Sequence, residues 1–162
     1  MIIIGSTALK HWFPDLKREP KDIDYIVGDP KQYKNTPGIE HLKNPILLKP
    51  EYSKYIQDGY LNPTGLLTLK ISHLFWDINW NKHKDSVLFL KKHGAMLIPE
   101  LYDSFVEYWK SVNGNKPQLD MYKTKSEFFS NAVPLVIEHD DLHKISVYPD
   151  EPLYLKVLED NQ

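Results

Sequence analysis

The stretch that most constrains this chain is its first 27 residues. An apolar run, Ile2 to Ile4, stops at the pair Gly5-Ser6. After a polar, proline-containing link, Asp22 and Asp24 alternate with Ile23, Tyr25 and Val27. On a β-strand, residues two apart point to the same face, so the two aspartates share one face and the apolar residues take the other. Neighbouring carboxylates repel. The arrangement costs free energy unless a cation lies between them, and Mg²⁺ favours a few carboxylates completed by substrate phosphate oxygens. A glycine closing the preceding strand lets the backbone approach a ligand. Ser6, at the start of a helix expected over residues 7–12, is predicted to cap that helix and to offer its hydroxyl and the helix N–H groups to phosphate.

A strand ending in Gly-Ser, a short helix, then a strand bearing Asp-x-Asp resembles the signature of the nucleotidyltransferase superfamily, the DNA polymerase β-like fold. The resemblance spans Ile2 to Val27. It implies that Gly5 and Ser6 bind the triphosphate and that Asp22 and Asp24 bind Mg²⁺ or Mn²⁺. Gly-Ser-Thr-Ala-Leu-Lys-His-Trp-Phe-Pro, followed by Arg-Glu-Pro-Lys-Asp-Ile-Asp-Tyr-Ile, is also similar to small nucleotidyltransferase-like proteins encoded by tailed phages. Against that group the chain reads as a shortened member. The superfamily commonly places a third acid on a neighbouring strand, where it completes the metal site and takes a proton from the attacking hydroxyl. Glu40, in the short alternating stretch Gly38 to Leu42, is the candidate, and an ordinary exposed acid near a turn is the competing reading. Glu51 and Asp58 lack an apolar-acid-apolar setting.

With 162 residues and 41% hydrophobic content the chain suffices for one compact unit. Residues 1–61 are expected to form the catalytic sheet region, with residues 62–162 a helical C-terminal region packed on it. Lys and Arg (20) nearly balance Asp and Glu (22), so no whole-chain charge argues for nucleic acid, although a local basic face remains open. The absence of cysteine excludes thiolate metal sites and cysteine nucleophiles, leaving carboxylate and histidine as ligands. The apolar start ends after three residues without a basic flank, and other apolar runs are too short to span a bilayer. A cytoplasmic location is expected, the host cytoplasm for a phage-encoded protein.

Further along, Gly28-Asp29-Pro30 reads as a turn, and Tyr52, Tyr55 and Tyr60 mark a stretch compatible with a short helix, either packing or stacking on a base. Asn62 as N-cap and Pro63 at the first helical position open the clearest helix, with Leu66, Leu67, Leu69, Ile71 and Leu74 at mostly helical spacing. A second helix is expected over residues 82–93, ended by Gly94, and a third over residues 95–110. Lys70, His73 and Asp77 form a polar stripe at i, i+3 and i+7. In the superfamily a lysine on such a helix contacts the triphosphate, so the resemblance nominates Lys70, and after it Lys82 or Lys84; solvated i,i+4 pairs are the alternative.

The histidines raise a rival chemistry. His73 with Asp77, together with His83 and the later His139-Asp140 and His143, resembles the metal set of HD-type phosphohydrolases, which hydrolyse nucleotide esters with metal-activated water. In that reading the residues sit on helices, with His139 and His143 on one helical face, a spacing that also suits a lone zinc or nickel site. A third possibility is a catalytically idle nucleotidyltransferase fold acting as a binding or antagonist protein. The reading favoured by the residues is an α/β (α+β) domain with a small mixed, mainly antiparallel sheet bearing the acids and a helical C-terminal half. Its expected chemistry is transfer of a nucleotidyl group from an NTP to an acceptor hydroxyl on a protein, nucleic acid or small molecule.

Overall fold

The computed structural model describes residues 1–73, 86–87, 89–113, 135–139, 143–147 and 155–158. The mixed α+β class expected from sequence is the one observed. Two compact units divide the chain, Met1–Leu66 and Leu67–Gln162.

The first unit is built on a five-stranded mixed sheet. In chain order come β1 (Ile2–Ile4), α1 (Gly5–Trp12), β2 (Ile23–Val27), β3 (Ile39–Lys43), β4 (Ile56–Gln57) and β5 (Tyr60–Leu61). The spatial order is β3-β2-β1-β5-β4. β1 runs antiparallel to β2 and parallel to β5, whereas β2 and β3 are parallel. Parallel pairing needs a long connection, and the turn at Asp29, the 3₁₀ turn Pro30–Gln32 and the loop to Gly38 supply it. Asp29 caps that turn by accepting from the Lys31 N–H at 3.0 Å.

Register divides the sheet into two faces. Ile4, Asp24 and Glu40 form one row across β1, β2 and β3, beside the row Ile2, Ile26 and Leu42. The other face carries Tyr60, Ile3, Tyr25 and His41 in one row from β5 to β3. Ile2, Ile4 and Ile26 are buried. The acids therefore stand at the rim of an apolar face. Helix α1 packs on β1, β2 and β5 through Ala8 and Leu9, and the Trp12 indole N–H donates to the Leu61 carbonyl at 2.9 Å. Lys10 fastens the link that follows by pairing with Glu19 at 2.9 Å and donating to the Leu16 carbonyl.

The boundary between the units falls inside α2 (Pro63–His73). Asn62 caps this helix as its sequence suggests, its Oδ1 accepting from Gly65 N at 2.9 Å. Leu67, Leu69 and Ile71 in the second unit are buried together with Thr68 and Ser72, so this helix is enclosed nearly all round. The buried hydroxyls are satisfied: Thr68 Oγ1 accepts from Ile98 N at 3.1 Å, and Ser72 Oγ donates to the Leu69 carbonyl at 2.6 Å.

Residues 86–87 and 89–92 are helical. Gly94, at φ 85°, ends that segment in the left-handed region while Ala95 N returns to Leu90 O at 3.0 Å. The next helix, α3 (Pro99–Asn113), starts later and ends later than the expected 95–110, because proline favours the first helical turn and Ala95–Ile98 precede it without regular structure. Leu101 and Phe105 on α3 are fully buried. The hairpin strands β6 (Leu135–His139) and β7 (His143–Val147) pair antiparallel, and β8 (Leu155–Leu158) extends them to a three-stranded sheet.

Candidate active site

Gly5 follows β1 at the point where Asp24 approaches α1. Its φ of +69° lies in the left-handed region, and a methyl group there would stand 2.7 Å from Asp24 Oδ2. Two independent constraints thus require glycine: backbone conformation, and the approach of a carboxylate to the start of α1. The sequence reading expected the glycine to make room for a ligand; in the structure it makes room for Asp24.

Ser6 is corrected in one respect. The N-cap position belongs to Ile4, and no side chain caps the helix. Ser6 instead lies half-buried within the first turn. The leading N–H groups of α1, which lack intrahelical partners in any helix, receive no capping bond from the Ile4 side chain, and Asp24 approaches at that end.

Asp22 immediately precedes β2 rather than lying within it, and it is exposed; Asp24, inside the strand, is half-buried. Asp22 is held through its backbone, since Thr7 Oγ1 on α1 donates to its carbonyl oxygen at 2.7 Å. Thr7 escaped the sequence reading because nothing local distinguishes a tethering threonine from any other early helical one. Glu40 is exposed on the edge strand β3 and directly opposite Asp24 in the parallel register. Among the described residues, no three histidine, aspartate or glutamate side chains form a group positioned to hold a metal ion.

The remaining candidates lie elsewhere. Lys70 and His73 sit half-buried on α2 in the second unit, where the His73 ring meets Trp109 edge-to-face at a centroid distance of 4.7 Å. Asp77, Lys82, His83, Lys84 and Asp140 fall outside the described residues. His139 and His143 do not share a helical face: they are paired across the mouth of the β6–β7 hairpin. Their i,i+4 spacing makes them register partners on β6 and β7. Glu51 lies on the 3₁₀ turn Pro50–Tyr55, which replaces the short helix considered there, and Asp58 occupies the β4–β5 turn at φ 52°.

A family model described as Domain of unknown function (DUF7275) matches residues 65–162, more than half of the 162-residue chain. The chain belongs to the DUF7275 family. A second model, Domain of unknown function (DUF7277), matches residues 1–57. Gly5, Ser6, Asp22, Asp24 and Glu40 all fall in the DUF7277 match, while Lys70, His73, His139 and His143 fall in the DUF7275 match. No curated protein and no solved structure matches the chain.

Proposed function

We propose that the chain is a metal-dependent nucleotidyltransferase that moves a nucleotidyl group from an NTP to an acceptor hydroxyl and releases pyrophosphate. The observation that carries this reading is the approach of Asp24 to Gly5, in a register row that continues to Glu40. A metal-bound triphosphate needs carboxylate oxygens on its cation side and N–H donors on its phosphate side. The rim of β2 and the start of α1 bring both kinds of group to one corner.

The donor set fits Mg²⁺ or Mn²⁺. These ions take hard oxygen ligands, and Mg²⁺ commonly uses one or two carboxylates with water and substrate phosphate oxygens completing the octahedron. A full protein cage is unnecessary, so the proposal needs only one or two of Asp22, Asp24 and Glu40 on the ion at a time. Bound there, the ion supplies charge neutralisation at the reacting phosphates.

The chain itself supplies positioning and proton transfer. Gly5 and Ser6 hold the β- and γ-phosphates against the start of α1. Glu40 accepts the proton of the acceptor hydroxyl as its oxygen bonds to the α-phosphorus. The bond from that phosphorus to the bridging oxygen breaks, and pyrophosphate leaves with the electron pair. Such transfer relies mainly on orientation and electrostatics.

Calorimetric titration with each NTP, with Mg²⁺ or Mn²⁺ present, tests the reading. Metal-dependent binding that Asp22→Ala/Asp24→Ala abolishes is the expected result. A folded protein that binds no NTP, yet retains a transition metal through His73 and His139, would sink the transferase in favour of the phosphohydrolase. Metal-dependent NTP binding with no pyrophosphate release from any acceptor class would instead identify the idle, binding form of the fold.

A further inference from the structure

The face of the sheet opposite the acids carries a stack of three rings at its open edge. His41 on β3 lies between Tyr25 on β2, at a centroid distance of 5.6 Å, and Tyr33 in the β2–β3 connection, at 4.8 Å; the interplanar angles are 16° and 19°. Tyr33 ends the stack. It is 41% exposed, and its ring neighbour among the described residues is His41.

The connection that carries Tyr33 is firmly held. Asn35 Oδ1 accepts from both the backbone N–H and the Nδ1 of His41, each at 2.9 Å. Because that oxygen receives a backbone N–H, it is the acceptor in both bonds, so Nδ1 carries the imidazole proton. Thr36 and Ile39 exchange backbone hydrogen bonds at 3.2 and 2.9 Å, and Tyr33 N donates to Pro30 O at 3.1 Å. The outer ring face is therefore ordered before anything binds to it, which removes part of the entropic cost of association.

Lys31 and Lys34 stand close to Tyr33 in the chain, two residues before it and one after. Both are exposed, and neither enters an ion pair among the described residues. A ligand that uses both features offers a flat π-face and a neighbouring anionic group. A strand of unpaired nucleotides repeats that combination at every residue, whereas a duplex hides its base faces in the stack.

We infer that Tyr33, backed by His41 and Tyr25 and with the exposed Lys31 and Lys34 next to it in the chain, is a stacking site for a base of single-stranded nucleic acid. The inference does not rest on the transferase reading, because these rings occupy the sheet face opposite Asp24 and Glu40. Neither the aromatic face nor the ammonium groups read a 2′-hydroxyl, so RNA and DNA strands both bind.

Fluorescence anisotropy with labelled single-stranded oligonucleotides about ten nucleotides long, beside the matching duplex, tests it. The expected results are binding of the single strands in preference to the duplex, a loss of about tenfold or more in affinity for Tyr33→Ala, and retention for Tyr33→Phe. Lys31→Ala/Lys34→Ala lowers the slope of log affinity against log salt by about 1.4, the share of two phosphates. Failure of the wild-type chain to bind, equal binding of the duplex, or undiminished binding by folded Tyr33→Ala overturns the inference. Mg²⁺-ATP titration of Tyr33→Ala supplies a further check. Unchanged nucleotide binding is expected, and its loss would overturn the inference by assigning the ring to the NTP itself.

Discussion

The two units spend their polar residues differently. In Leu67–Gln162 the polar side chains of the described helical core face inward and are consumed there: Thr68 ties to Ile98, Ser72 bonds back to Leu69, and the Trp109 indole reaches Ser72 at 3.4 Å. In Met1–Leu66 the polar groups gather at the rim of the sheet, where Asp22 and Glu40 are exposed and Asp24 is half-buried. A buried hydroxyl with a partner adds to stability, whereas carboxylates placed side by side subtract from it. The helical unit is thus built for packing, and the sheet unit tolerates local repulsion at one corner. That corner is where the proposed site lies.

The contrast can be broken most severely in the helical unit. Phe105 on α3 is fully buried, and Phe105→Ala is expected to cost about 3–5 kcal/mol, the range for deleting a large core side chain. Denaturant unfolding measures it. A loss below about 1 kcal/mol would mean that α3 is far less tightly packed than its burial indicates.

Gly5→Ala probes the corner itself. The positive φ costs a non-glycine residue about 1–2 kcal/mol, and the new methyl meets Asp24 Oδ2. A destabilisation of about 2–3 kcal/mol is expected, with loss of NTP binding. Combining it with Asp24→Ala separates the two causes: the carboxylate clash disappears in the double variant, while the backbone cost persists. Equal costs in both backgrounds would remove Asp24 from the explanation.

Glu40→Gln sharpens the comparison in the opposite direction. Removing one of two carboxylates paired across β2 and β3 is expected to raise stability by about 0.2–1 kcal/mol while weakening metal-dependent NTP binding. Thermal unfolding and calorimetry on the same sample test both halves. A variant that is less stable and binds normally would make Glu40 an ordinary surface acid.

The smallest effect at neutral pH belongs to Tyr102 on α3. Burial, with Asp103 beside it, pushes its phenol above the ordinary tyrosine value. The folded chain therefore keeps this proton to higher pH than the unfolded chain. The associated stability is intact below about pH 10 and is lost as pH rises toward the folded value. Tyr102→Phe is expected to flatten that alkaline decline; an unchanged profile between about pH 9 and 11 would exclude Tyr102 as its source.

Local chemistry was enough to read much of this protein. The alternation at Asp22–Val27, the stop at Gly5, the cap at Asn62, the proline start of α2, and the glycine end at Gly94 all act within a few residues along the chain, where φ, side-chain period and capping operate. The spacing of His139 and His143 was equally visible and misleading, because four residues separate neighbours on one helical turn and also partners across a tight hairpin. Tertiary structure alone decided which residues meet across distance: Asp24 with Gly5, Asp24 with Glu40, Thr7 with the Asp22 carbonyl, and Tyr33 with His41 and Tyr25 through it. The physical reason is register. A shift of one residue between β2 and β3 would send Glu40 and His41 to opposite faces from those they occupy, and no local preference in either strand fixes that alignment. It is set by the burial of Ile2, Ile4 and Ile26 on one face and by the Asn35 and Thr36 bonds that fasten β3 to its own connection.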